Sequence, residues 1–413
     1  MLLRLALRSL ASRHLTVGLT VTSVALSVAL LLAVDTIRTG AKESFANTIS
    51  NTDLIMGARS GGVQLLLYSV FQVGNATNNV TWDSYLDIEA MDGVAWMVPI
   101  SLGDSHRGYR VMGTSTAFFD HYKYRGGRDI AFADGHRFDD LFDAVVGADV
   151  AETLGYGIGQ EIVVAHGIVS FSDHADKPFQ ISGILEPTGT PVDRTVYVSL
   201  EAIEAIHVDW QGDGRSGVSA EEVRGMDLTP GAVTAALIGV EDRLRIFALQ
   251  RAINEYREEP LLAILPGVAL SELWSLVGVA EAALLAVSAM VVVTALLGLA
   301  AMILAGLEAR RREMAILRAV GARPRTILAL LMLEAVTIAA FGALLGVLLL
   351  YVGLLITRGW IDSATGIYLE LSPPGAREGL ILAAVIGAGA AASLVPALRA
   401  YALSLADGMT LRT

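Results

Sequence analysis

Four charge-free apolar runs dominate the chain: Leu15–Val34, Ala282–Leu307, Ala335–Thr357 and Gly379–Leu398. They contain 20, 26, 23 and 20 residues. About 20 apolar residues are needed to cross a bilayer as a helix, so all four are read as transmembrane helices. The first run is softened by Thr16, Thr20, Thr22, Ser23 and Ser27. It follows Arg4, Arg8 and Arg13, which resemble the basic start of a signal peptide. It is longer than the roughly 7–15 residues of a signal-peptide core, and no small-x-small cleavage site follows it. It is therefore read as a retained helix.

Charge is scarce and unevenly placed. Asp, Glu, Lys and Arg make up 17% of the 413 residues, against about 25% in a soluble protein. Between Asp35 and Glu272 lie 17 basic and 34 acidic residues, within a chain of formal net charge −12. A purely cytosolic enzyme is excluded, and the lack of a basic face excludes a nucleic-acid partner. With no cysteine, disulfides, thiolate metal sites and cysteine nucleophiles are also excluded. The N-terminus, the loop between the second and third runs, and the tail together carry 11 basic and 3 acidic residues. By the positive-inside rule these segments face the cytoplasm, and the acidic insert faces outward.

The expected fold is an integral membrane protein with four transmembrane helices and a large α+β periplasmic domain between the first and second. Residues 1–36 hold an interfacial helix and the first span. The interfacial helix has Leu2, Leu3, Leu7 and Leu10 near one face and Arg4 and Arg8 on another, and it lies against membrane lipids. Residues 37–272 form the outer domain. Residues 273–413 hold a stalk, three spans, a cytoplasmic loop (308–325) and the tail. The helical pattern from Leu273 to Glu308 would be about 54 Å long, so its outer end projects and Glu281 sits near the outer interface. Glu334 is an intramembrane acid, a functional suspect by type, with a structural partner such as a Ser, Thr or backbone group at a dimer contact as the alternative.

Within the outer domain, alternating apolar runs predict strands at Val94–Ile100, Tyr109–Gly113, Ala144–Val146, Glu161–Ala165, Phe179–Leu185, Thr195–Val198 and Thr234–Val240. Helical patterns fall at Ile37–Ile49, Trp82–Met91, Leu200–Ile206 and Arg243–Tyr256. Gly61-Gly62 and Asp209–Arg224 are read as loops. Histidines are scattered: His106, His121, His136, His166, His174 and His207. Asp173-His174 in Ser172–Asp176 is the nearest approach to a metal-ligand cluster. No helical i, i+4 histidine pair supports it, and a zinc site needs three or four converging ligands. Surface or core histidines without metal are the default reading.

The loop after the second run reads Glu308-Ala309-Arg310-Arg311-Arg312-Glu313-Met314-Ala315-Ile316-Leu317-Arg318-Ala319-Val320-Gly321-Ala322. Met314, Leu317 and Val320 recur at helical spacing and form an apolar stripe. Gly321 suits a left-handed helix end, and Pro324 the first turn of the next helix. The run Arg311–Ala322 between the second and third of four spans is similar to the loop of FtsX/MacB-like ABC transporter permeases. The ending Pro396-Ala397-Leu398-Arg399-Ala400 also resembles theirs, although Leu405-Ala406-Asp407 replaces the Asp-Pro that often follows. Gly126–Ile130, Val146–Ala151 and Ile181–Leu185 resemble the periplasmic core of that family.

The resemblance implies a permease subunit of the Gram-negative inner membrane, not itself an enzyme, with both termini cytoplasmic. It would work with an ABC ATPase subunit that binds ATP and Mg, and with a second copy or a paralogue. Small residues of the first span (Gly18, Ala25 and Ala29) are the expected dimer contact. The sequence has no Gly-x-x-x-x-Gly-Lys-Ser/Thr phosphate loop, which implies a separate ATPase as in lipoprotein-releasing permeases. Arg311, Arg312, Glu313, Met314, Leu317, Arg318 and Gly321 are the expected coupling residues. The expected function is ATP-driven export or extraction of a lipoprotein, peptide or other hydrophobic substrate, with a periplasmic lipoprotein or binding protein as a further partner. The alternatives are a transmembrane signal transmitter that moves nothing, and a metal-linked transport system.

Overall fold

The computed structural model describes residues 6, 10–11, 13–167, 176–208, 218–309, 316, 319–365 and 373–402. The chain divides into two compact units. One comprises Met1–Gly40, Gly278–Gly359 and Leu369–Thr413, the other Ala41–Val277 with Trp360–Tyr368. Helix α1 (His14–Thr48) runs without a break through the first apolar run and through the helical pattern expected separately at Ile37–Ile49.

The second unit is built on one mixed sheet of eleven strands. In chain order they are β1 (Leu54–Ala58), β2 (Val94–His106), β3 (Tyr109–Thr114), β4 (Phe132–Gly135), β5 (Asp143–Val146), β6 (Glu161–Ile162), β7 (Ala165–His166), β8 (Phe179–Leu185), β9 (Thr195–Ser199), β10 (Ala235–Val240) and β11 (Leu261–Ile264). The order across the sheet is β11-β1-β10-β2-β3-β9-β5-β8-β4, with β7 added on β2 and β6 on β8. The pairs β3–β9 and β5–β8 are parallel, the others antiparallel. Every expected strand is present. The run Glu161–Ala165 is divided, however: its start pairs with β8 and its end with β2.

Among the helices that cover the sheet are α2 (Gly62–Ser69), α3 (Trp82–Glu89), α4 (Leu200–His207) and α5 (Ile246–Asn254). The two-residue period of a strand sends neighbours to opposite faces. Leu54 and Met56 of β1 pack with Tyr85 and Ile88 of α3 and Leu249 and Ile253 of α5. Ile55, between them, packs with Leu65, Leu66 and Tyr68 of α2. A third cluster joins Val146, Ile181 and Val198 to Ala202, Ile203, Ala205 and Ile206 of α4.

Two loop assignments are corrected. Gly61 is the N-cap of α2 and Gly62 its first residue. Asp209–Gly217 lies outside the described residues, while Ala220–Val223 is a helical turn. Ser219 and Glu222 hold that turn in a reciprocal capping box, with Val223 fully buried.

The first unit contains α1 as far as Gly40 with α6 (Pro266–Ala309, from Gly278 onward), α7 (Pro324–Thr365, as far as Gly359), α8 (Ala376–Ala392) and α9 (Leu394–Ala402). Four stretches of these helices are long and apolar enough to cross a membrane. Leu15, Leu19, Leu344 and Leu380 are exposed, as lipid-facing positions should be. The 44 residues of α6 are about 66 Å long, longer than expected because the helix begins at Pro266, a residue preorganised for a first turn. The fourth apolar run lies in one membrane-length stretch, Ala376–Arg399, interrupted at a single residue whose backbone angles stay right-handed. That residue is Ser393, because Pro396 has no N–H for the Ala392 carbonyl and its ring crowds that turn.

Close approach holds this unit together. A Cβ at Gly342 would lie 2.6 Å from the Val24 side chain. One at Gly346 would lie 2.7 Å from the Ala25 carbonyl and 2.9 Å from Val28 Cβ. Gly389 of α8 meets Ala339 of α7 in the same way. These are contacts of small residues between lipid-embedded helices. Ala25, expected at a dimer contact, is therefore buried inside the bundle against α7, whereas a Cβ at Gly18 would meet nothing within 4 Å.

Candidate functional site

At the end of the bundle that carries the Arg-rich loop, Glu334 is 3% exposed and lies 3.8 Å from the Arg13 guanidinium. Arg13 reaches it across Gly306 of α6, where any Cβ would run into the guanidinium. Three helices thus meet at one ion pair. A buried carboxylate in lipid requires such a partner, and here it is an arginine of the same chain, not the Ser, Thr or backbone group expected at a dimer contact. At the other end, Arg377 bonds Asp35 at 2.6 Å, and Arg38 bonds Glu281 at 2.7 Å. These contacts join α8 and α6 to α1.

Of the expected coupling residues, Arg311, Arg312, Glu313, Met314, Leu317 and Arg318 lie outside the described residues. Gly321 has φ +101°, the left-handed conformation that ends a helix, and α7 then begins at Pro324. Ile316 and Val320 are exposed, at 59% and 84%.

Asp173 and His174 also lie outside the described residues. The histidines elsewhere follow the default. His106 is a core residue, with Nδ1 2.6 Å from the Val163 carbonyl and Nε2 2.7 Å from the Tyr156 hydroxyl. Burial pushes its pKa below the usual histidine value. His121 stacks on Trp96, and His136 is exposed beside Asp139.

His166 and His207 depart from the default. They converge on Asp104, and the ligand atoms of all three lie within 4.8 Å of one another. Each is placed by a separate piece of local structure. Asp104 lies where the pairing of β2 with β3 shifts register between Leu102 and Ser105; such bulges re-aim side chains. His166 is its direct cross-strand partner on β7. That short strand is fastened by Gly167 N–H to the Gly103 carbonyl and by the Ser105 hydroxyl to the Gly167 carbonyl.

His207 ends α4. The Ser199 side chain caps this helix by accepting from Ala202 N–H, and Ile203 seats it over Gly113, where a Cβ would lie 2.6 Å from Ile203 Cγ1. His207 Nδ1 is 2.7 Å from the Ile203 carbonyl, which can only accept, so in the neutral ring Nε2 carries the lone pair. Burial works against the His207 cation, but Asp104 outweighs it and raises the pKa above the usual value.

Four apolar helices and an α+β sheet domain inserted between the first two define a membrane subunit with a large extramembrane domain. A family model described as the MacB-like periplasmic core domain matches residues 17–253, and one described as the FtsX-like permease C-terminal domain matches residues 285–405. The chain belongs to the FtsX/MacB-like ABC transporter permeases. Solved structures are also similar at low scores, two of them being these. The extracellular domain of the noncanonic ABC-type transporter YknZ from Gram-positive bacteria is 14% identical with a TM-score of 0.32, covering 52% of this chain and 100% of that one. The periplasmic region of MacB from Actinobacillus actinomycetemcomitans is 9% identical with a TM-score of 0.35, covering 56% and 96%. No curated protein matches the chain.

Proposed function

We propose that this permease transmits ATP-driven motion from a separate cytoplasmic ATPase to its outer domain, and so drives export or extraction of a lipoprotein, peptide or other hydrophobic substrate. The observation that carries the reading is α6, one unbroken helix of 44 residues. It begins two residues after the last strand of the sheet domain and ends at the Arg-rich loop. At about 66 Å it exceeds the roughly 30 Å hydrocarbon core, and it is the stretch of chain through which a push on the loop would be passed on.

The supporting features are chemical. The asymmetry of 11 basic to 3 acidic residues supports a layout with both termini and the loop in the cytoplasm and the sheet domain outside, in a Gram-negative inner membrane. The sequence contains no phosphate loop, so ATP and Mg bind the partner. Exposed Ile316 and Val320 beside Gly321 suit an apolar ridge covered by that partner. Two copies, or one copy and a paralogue, complete the complex. Purified alone, the chain should hydrolyse no ATP, and hydrolysis should appear with the ATPase subunit. Vanadate-sensitive turnover by the chain alone would overturn the reading.

A further inference from the structure

We propose that Asp104, His166 and His207 form a binding site for a divalent transition-metal ion, Zn²⁺ by its donor set and spacing. The inference is independent of the transport reading, because all three residues belong to the sheet domain.

The spacing of the three donor atoms is the first ground. His166 Nδ1 lies 3.1 Å from His207 Nε2 and 3.2 Å from Asp104 Oδ1, and His207 Nε2 lies 3.5 Å from the same oxygen. Tetrahedral zinc with bonds of about 2.0–2.1 Å places its ligand atoms roughly 3.3 Å apart. The three edges therefore outline one face of such a tetrahedron.

The second ground is Asp104 itself. It is 4% exposed, and its Oδ1 has no hydrogen-bond partner. The two imidazole nitrogens lie 3.2 and 3.5 Å from that oxygen. A buried carboxylate oxygen aimed between two ring nitrogens is costly without a cation, and a shared metal ion supplies one.

The support around the ligands is the third. The Ile203 carbonyl takes the Nδ1 proton of His207 and so presents Nε2 to the ion, the outer-shell arrangement usual for metal-bound histidine. Two imidazoles and one carboxylate suit zinc and related transition ions, not Mg²⁺ or Ca²⁺, which take oxygen ligands. The side chain of His166 is 48% exposed and that of His207 26%, so solvent can reach the fourth position. A bound ion would tie the end of α4 to β2 and β7.

The test uses the full chain in lipid nanodiscs, purified without a histidine tag and stripped with EDTA. Calorimetric titration with Zn²⁺ should show one ion per chain, and Co²⁺ should give the visible absorption of a tetrahedral site. Loss of an outer-shell partner typically weakens metal binding about 10–100-fold, and His166→Ala and Asp104→Asn, which remove ligands, should weaken it at least that much. His166 lies on a short, partly exposed strand, so its variant tests binding with little risk to folding. His136→Ala, at an exposed histidine elsewhere, should change nothing. Wild-type chain that takes up no Zn²⁺, or uptake equal in wild type and His166→Ala, would overturn the site.

Discussion

The helical bundle and the sheet domain close their cores by different means. In the bundle, glycines let helix backbones touch: Gly342 and Gly346 against α1, and Gly389 against α7. Charges pair at both ends, Arg13 with Glu334 and Asp35 with Arg377. The sheet domain instead closes around large rings. Tyr197 is fully buried, with Phe118 and Phe119 at ring-centroid distances of 5.0 and 5.9 Å. Water supplies a strong drive to bury such rings. Lipid supplies little between helices, so shape and a few polar pairs decide.

The largest expected effect is in the sheet domain. Tyr197→Ala should cost about 3–5 kcal/mol, as for other buried aromatics cut to alanine, and thermal unfolding of the full chain would measure it. A cost below about 1 kcal/mol would mean that the rings do not close the core. Next is the bundle. Gly346→Leu forces a side chain against Ala25 and Val28 and should cost about 1–3 kcal/mol, the range for overpacking. It should loosen α1 from α7, which cross-linking between the two helices would detect. A neutral result would break the comparison, since the glycines would then merely be tolerated.

The smallest effect belongs to an exposed pair. Arg224 bonds Asp140 at 2.7 Å through two nitrogens, and this bonding holds the Asp140 carboxyl below its ordinary value. The side chains are 40% and 50% exposed, so the screened pair is worth at most about 1 kcal/mol. Because the folded pKa is depressed, the contribution is complete above the unfolded carboxylate value of about 4. It is lost as pH falls through the lower folded value. Arg224→Ala should therefore be slightly destabilising at pH 7 and neutral in strong acid, measured as unfolding against pH.

Long patterns were legible in the sequence, and short or distant ones were not. The apolar runs and the strands at 94–100, 179–185 and 195–198 carry a period that survives any context. Leu54–Ala58 does not. It is buried on both faces, so it lacks alternation, and Gly57 weakens its strand signal. Gly61 caps α2 with backbone alone, leaving no side-chain signal. The Ser219-x-x-Glu222 capping box was a readable signal within a stretch taken for a loop, as was Pro396 for the interruption at Ser393. The Asp104–His166–His207 cluster had no local signature. Its members are 62 and 41 residues apart, and only the β2 bulge, the β7 pairing and the packing of α4 bring them together.

The central claim, that the loop after α6 is where a partner ATPase drives this permease, is tested most directly at Leu317. Leu317→Glu should abolish co-purification with the ATPase and the partner-stimulated hydrolysis of ATP, while the chain still inserts normally. Truncating a buried apolar anchor costs about 2 kcal/mol or more, and a charge at that position costs further. An Arg310/Arg311/Arg312 triple-alanine variant keeps the apolar ridge and should retain coupling better while disturbing orientation in the membrane. Wild-type co-purification and stimulation in Leu317→Glu would contradict the account and leave the loop as a topology signal alone.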